Sequence, residues 1–276
     1  MLESFAGIDV ACAKGKRLPV SISVWRKNVL EPLTLRRHGL PKPPQGAGNV
    51  RALDDEWRSN FANDAAEYLR LIEKEFRVII VRIAIDAPSD PKQDGLDRRL
   101  AEQALGNHGI SCITTPSMLE FDAIEQRVRD HLNAGRQVAQ IPHANQLWML
   151  VGFALFCRLR RDWECIEVYP HATAALLGAA MTHKSKKIGI AAQLTAARNF
   201  TGWPHDAYAN PDVLTEIGYG ELHDKLDAYL SAWVASTPAH MRSALGKPPN
   251  DAIWVPKCIM TGKNTTDLMS ARTEDS

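Results

Sequence analysis

Val78-Ile79-Ile80-Val81-Arg82-Ile83-Ala84-Ile85-Asp86-Ala87-Pro88 reads as a strand lying inside a sheet. From Val78 to Ile85 it is nearly all Val, Ile and Ala, the signature of a central strand covered on both faces. Proline stops the run and leaves Asp86 at its carboxyl end. In open α/β sheets, ligands gather at that end. A turn or helix cap is the plainer role for such an acid. The fold class that follows is α/β, with Asp86 as a first site candidate.

Upstream, residues 5–11 read as a strand with Asp9 between Ile8 and Val10. Aspartate is disfavoured in strands, so it either faces solvent from an edge or is held for chemistry. Leu18 to Trp25 alternates, and Val29 to Leu35 continues an antiparallel meander. Residues 38–50, with Pro41, Pro43, Pro44, Gly46 and Gly48, read as an open loop. Asp54 then caps a helix whose buried face is Trp57, Phe61, Ala65, Tyr68, Leu69, Ile72 and Phe76.

Downstream, residues 95–107 read as helical and Ile110 to Thr114 as a short strand. Ser117 to Asn133 and Asn145 to Leu159 read as helices. Cys165 to Pro170 is another strand, carrying Glu167 and ending in proline as the Asp86 strand does. Ala172 to Met181 and Ile190 to Phe200 are helical, Pro238 to Leu245 is a helical link, and Ala252 to Val255 is a last strand. The expectation is one domain over residues 1–260, with insertions at about 38–50 and 117–160. Residues 261–276 are polar and read as a disordered tail.

The stretch from Glu221 to Trp233 adds a late helix. Leu222, Leu226, Tyr229, Leu230, Trp233 and Val234 recur at helical spacing. Asp227 falls at the edge of that face, with Asp224 one turn earlier. A carboxylate at the margin of a buried stripe needs a partner, a proton or a metal. A solvated polar shoulder is the competing reading.

The 276 residues are 45% hydrophobic, enough for one large domain. With 33 basic and 32 acidic residues the net charge is +1, so any nucleic-acid site must be a local patch. Candidates to grip phosphates are the turn Lys184, Lys186 and Lys187 and the cluster Arg158, Arg160 and Arg161. Arg98 and Arg99, after the Asp86 loop, are better placed for a scissile phosphate. Tyr169 and Trp203 could stack on bases, although core packing is the ordinary role of such rings. His223 could shuttle protons or simply sit on the helix face. Five cysteines without CxxC spacing speak against a disulfide framework or zinc knuckle. No signal-peptide pattern precedes the first strand, and Leu147 to Leu159 is too short to span a bilayer. A cytoplasmic chain without membrane association is expected, and a homodimer is compatible with the sequence. There is no G-x-x-x-x-G-K-S/T, G-x-S-x-G, H-E-x-x-H or G-x-G-x-x-G.

Asp9, Asp86, Glu167, Asp224 and Asp227 are the chemical constellation. Three lie on strands or strand ends and two at i, i+3 on the late helix. Gathered in one cleft they repel, and bound cations make that tolerable. Oxygen donors without Cys or His select Mg²⁺ or Mn²⁺. Two such ions about 4 Å apart activate water and stabilise the leaving oxygen in phosphodiester hydrolysis.

In order, Gly7-Ile8-Asp9, Ile85-Asp86-Ala87-Pro88, Glu167-Val168-Tyr169-Pro170 and His223-Asp224-Lys225-Leu226-Asp227-Ala228 resemble the predicted RNase H-like nucleases catalogued as domain of unknown function 429. That family is related in fold to the Holliday-junction resolvase RuvC. The Asp-x-x-Asp-Ala helix is the most specific piece. The resemblance covers most of residues 5–256 through short islands. It implies an RNase H-like mixed sheet flanked by helices, with helical insertions, and metal-dependent cleavage of DNA or RNA. It implies Asp9, Asp86, Asp224 and Asp227 as metal ligands, with Glu167 as a ligand or as the residue that orients a base or an arginine.

Two rival functions remain open at this point. One is a non-catalytic RNase H-like scaffold that binds nucleic acid or a protein. The other is a nucleotide phosphohydrolase on an actin-like fold, for which Gly7 to Gly15 is the one candidate phosphate hairpin.

Overall fold

The computed structural model describes residues 1–206 and 209–261. The meander is β1 (Leu2–Asp9), β2 (Val20–Arg26) and β3 (Val29–Pro32), followed by α1 (Asp55–Phe76) and β4 (Val78–Asp86). Helices α2 (Leu100–Asn107), α3 (Met118–Asn133) and α4 (Ala144–Leu159) precede β5 (Glu164–Glu167). Then come α5 (Pro170–Leu176), α6 (Lys187–Thr201), α7 (Leu222–Ser236), β6 (Arg242–Lys247), β7 (Asp251–Pro256) and α8 (Lys257–Thr261).

The main sheet has the order β3-β2-β1-β4-β5. β2 is antiparallel to both β1 and β3, and β4 is parallel to β1 and β5. The sheet is therefore mixed, and β4 has a neighbour on each edge, in keeping with its nearly continuous apolar run. β6 and β7 form a separate two-stranded ribbon.

Alternation along each strand decides what faces what. Ala6, Ile8, Ile83 and Ile85 pack with Phe61, Leu69 and Ile72 of α1 and Val151, Leu155 and Phe156 of α4. Phe5 and Ala84 pack instead with Val234 and Ala235 of α7. With a period of two, Gly7 and Asp9 share the face of Phe5, and Asp86 shares that of Ala84. Both aspartates thus leave the sheet on the side covered by α7.

Small residues let α7 lie close. Gly7 has Ser21 and Ala84 as its register partners on either side. A methyl added at Gly7 would overlap the Ala228 carbonyl oxygen and the Ala232 amide nitrogen. The far side of α7 packs through Leu226, Tyr229, Leu230 and Trp233 on Ile190, Leu194 and Ala197 of α6 and on Leu214. The helix is consequently buried at every residue from Asp224 to Ser236, more than its expected apolar face implied. Asp227, expected at a stripe edge, lies inside.

Several expected elements differ. Ile110 to Thr114 forms no strand; the amide of Thr115, just after it, donates to the Glu102 side chain at 2.8 Å. The helix expected from residue 95 starts at Leu100, where Asp251 accepts from the amides of Leu100 and Ala101 at 2.7 and 3.1 Å. Pro238 to Leu245 is helical only in a 3-10 turn at Ala239–Met241; from Arg242 the chain pairs with β7, and that ladder overrides local helix preference. The helix expected to reach Met181 stops at Leu176, before Gly178 at φ +70°. The 38–50 loop is closed onto the β1–β2 connection, with Leu18 N donating to Pro44 O at 2.9 Å and Gly46 N to Lys16 O at 2.7 Å. In the 117–160 segment, expected to be an elaboration, α4 supplies Leu147, Val151, Leu155 and Leu159 to the main core. Of the expected tail, residues 262–276 lie outside the described residues. Among the described residues no helix is long and apolar enough to cross a membrane.

Candidate metal centre

Asp9 and Asp86 are register partners at the carboxyl ends of β1 and β4. Neighbouring strands lie about 4.8 Å apart, so the two carboxylates emerge side by side. The close seat of α7 on Gly7 lowers Asp227 onto the same spot. One carboxylate oxygen from each of Asp9, Asp86 and Asp227 lies within 4.8 Å of the other two.

This centre is short of positive charge. Asp227 is 4% exposed, and its Oδ1 has no hydrogen-bond partner. Its Oδ2 meets the Lys184 ammonium, which reaches in from the turn before α6. Burial pushes the Asp9 carboxyl well above the usual range, and the charges of Asp227 and Asp86 add to the push. Asp86 is pushed up to about 8, first by burial and then by Asp227. Burial also raises Asp227, against the pull of Lys184. One lysine opposite three carboxylates leaves charge uncompensated in a poorly hydrated place. The donors fit a hard divalent cation: all are carboxylate oxygens, the three side chains converge, and Asp227 keeps one buried oxygen without a partner.

Asp224 is not part of the convergence. Its Oδ2 accepts from the Glu221 amide at 2.9 Å, closing a capping box with Glu221, and its Oδ1 lies 3.0 Å from His223 Nε2. It acts on the centre through its charge, which helps raise Asp9. Three aspartates therefore converge where four were expected.

Glu167 points elsewhere for a reason of register. It pairs with Ile85, so it shares the Ile85 face and not that of Asp86. Its Oε1 accepts from Arg99 Nη1 at 2.9 Å, and its Oε2 from Arg99 Nη2 and the Ser89 amide, both at 2.7 Å. Arg99 also lies 3.2 Å from Asp251 and is 2% exposed. That corrects its expected role as a phosphate contact: it is a buried clamp joining β5, the loop after β4 and the start of α2. Arg98 is half-buried beside it.

Of the basic turn, only Lys184 reaches the acidic centre. Lys186 is exposed, and Lys187 is exposed and pairs with Asp212 at 2.8 Å. Arg158 pairs with Asp162 at 2.6 Å and Arg160 with Asp90 at 3.5 Å. The ring of Trp203 packs 4.7 Å from that of Tyr229 in the core. Gly7, the first glycine of the candidate phosphate hairpin, is occupied in seating α7. Two features of the site are hidden or faint in the sequence. The Lys184 contact with Asp227 has no local signal. Glu102 has one: it is an acid on the apolar side of a short helix, between Ala101 and Leu105, and it is buried.

Fold and site together define a mixed α/β protein with a three-carboxylate centre at the carboxyl ends of two parallel strands. Residues 47–250 match the family described as Protein of unknown function (DUF429), and the chain belongs to it. The matched range includes Asp86 and Asp227 and begins after Asp9. No curated protein and no solved structure gives a significant match.

Proposed function

We propose that this protein is a Mg²⁺- or Mn²⁺-dependent nuclease on an RNase H-like core, hydrolysing phosphodiester bonds of DNA or RNA. The observation that carries the reading is the convergence of Asp9, Asp86 and Asp227 with an unpartnered buried oxygen. The strand order, an antiparallel meander followed by two parallel strands, supports the RNase H-like assignment. Asp9, Asp86 and Asp227 would hold the cation. A divalent ion bound there lowers the pKa of water and offsets charge on phosphate oxygens. The rest falls to the chain itself. Gly7 and α7 hold Asp227 at its distance from Asp9. The clamp of Glu167, Arg99 and Ser89 fixes the chain where it leaves Asp86. Lys184 would add positive charge beside the three carboxylates, where a polyanion must bind.

The ion pair between Lys184 and Asp227 favours a second reading, a scaffold that binds nucleic acid without cutting, its centre neutralised from within. The deciding experiment incubates the protein with labelled single- and double-stranded DNA and RNA in Mn²⁺, Mg²⁺ or EDTA, beside Asp9→Asn. Metal-dependent cleavage that disappears in the variant supports the nuclease. Binding that survives EDTA, with no cleavage of any substrate, supports the scaffold.

A further inference from the structure

We propose that a cavity beside Asp86 receives a single unstacked nucleobase, held by Glu102 and Thr115; this rests on the nuclease reading of the same site. The cavity offers about 100 Å³ to the centres of water-sized spheres, well above the roughly 10–15 Å³ that one water needs. Its wall begins at Asp86 and continues over Trp148, Tyr169, Leu105, Met149 and Cys112. Most of this lining is apolar, and two aromatic rings are part of it.

Two polar groups in that lining lack partners. Glu102 is 3% exposed; its Oε1 is held by the Thr115 amide, while its Oε2 is buried and accepts nothing. Thr115 is fully buried, and its hydroxyl also has no partner. Unpaired buried oxygens are costly, and both residues belong to the wall of one cavity, which marks a ligand edge there. Glu102 supplies an acceptor, and the Thr115 hydroxyl can donate. The matching edge carries an N–H beside an oxygen or ring nitrogen, on a flat apolar body. Every nucleobase has such an edge, and its faces suit Trp148 and Tyr169. A phosphate or sulfate does not fit, because the carboxylate repels it. Extrusion of one base into a side cavity would anchor the strand next to the acidic centre.

The test uses metal-free, full-length protein titrated with adenosine, cytidine, guanosine and uridine, and with ribose 5-phosphate as control, followed by saturation-transfer NMR and calorimetry. At least one nucleoside binds and ribose 5-phosphate does not. Glu102→Gln puts an amide donor against the donor of the base, and Thr115→Val removes the hydroxyl at constant shape. Each weakens binding on the order of tenfold, while Mn²⁺ binding is unchanged. Trp148→Ala, at the partly exposed rim, weakens it by a similar factor. If no nucleoside saturates, or if Glu102→Gln and Thr115→Val bind like the parent, the base site is wrong. Cleavage in Mn²⁺ is scored separately. Nucleoside binding without cleavage removes the nuclease reading and leaves the cavity assigned; cleavage without nucleoside binding does the reverse.

Discussion

Gly7 of β1 and Ala228 of α7 meet backbone to backbone, with no room for even a methyl group between them. Asp9 is two residues from one partner and Asp227 adjoins the other, so this contact sets the spacing of two of the three carboxylates. Backbone on both sides cannot swing away as a side chain would. Gly7→Ala should destabilise the fold by about 1–3 kcal/mol as an overpacking change, and weaken Mn²⁺ binding as α7 shifts. Gly106→Ala in α2, where an added methyl meets open space, should instead stabilise by roughly 0.5–1 kcal/mol. Urea unfolding measures both, and equal midpoints would refute the close-contact account.

Cation binding to the folded state alone must raise its stability by mass action. Mn²⁺ at one hundred times its Kd should add about 2.7 kcal/mol to wild type. Asp9→Asn and Asp86→Asn should lose most of that increment. Both should also melt higher than wild type in EDTA, since burial beside other acids penalises the ionised carboxylate and an amide carries no charge. Thermal melts with and without Mn²⁺ test this; a wild type whose melting is indifferent to the ion counts against the centre.

Without metal, stability should depend on pH through Asp86. Its carboxyl holds a proton to about pH 8 when folded and to about 3.8 when unfolded. Between those values the folded state binds the extra proton, so its stabilising effect is complete below about pH 4 and is lost as pH rises through about 8. The urea midpoint of wild type in EDTA should therefore fall more steeply between pH 5 and 8 than that of Asp86→Asn. Parallel profiles would contradict the raised pKa.

Periodicity carried most of the fold. The nearly continuous apolar run of β4 announced a central strand, and an acid inside the first strand and another at the end of β4 announced Asp9 and Asp86. What alternation within one strand cannot supply is the register between strands. Glu167 looks like Asp86 in sequence, an acid before proline at a strand end. Pairing with Ile85 turns it to the other face. Asp224 and Asp227 look like a matched pair on α7, yet Asp224 lies in the first turn, where backbone amides are free, and it caps its own helix. The β6–β7 ribbon was illegible because its pairing is a tertiary fact that overrides weak local propensity. In sequence Lys184 looks like a phosphate contact, because nothing near it reveals Asp227, 43 residues away.

That lysine yields its own prediction. Lys184 sits where it opposes a divalent cation at Asp227. Lys184→Met should therefore bind Mn²⁺ more tightly, on the order of tenfold. In EDTA it should lose about 1–3 kcal/mol, a range reduced for the partial exposure of the lysine. Calorimetric Mn²⁺ titration and urea unfolding give the two numbers. Weaker Mn²⁺ binding in the variant would mean that Lys184 organises the centre and does not compete for it.

Glu167 separates a structural acid from a ligand. It and Arg99 are nearly inaccessible, and each satisfies the other through two hydrogen bonds. Removing one partner strands the other's charge in the interior, so Glu167→Ala should cost about 3–5 kcal/mol. Replacing both, as Glu167→Leu with Arg99→Met, should recover much of the loss, because the one charge that then loses a partner, Asp251, is partly exposed and still accepts from the Leu100 and Ala101 amides. Mn²⁺ affinity of whatever remains folded should stay near that of wild type in both variants, in contrast to Asp227→Asn. A Glu167→Ala protein that folds normally but no longer binds Mn²⁺ would return Glu167 to the ligand set. The face assignment drawn from its pairing with Ile85 would then be the step that failed.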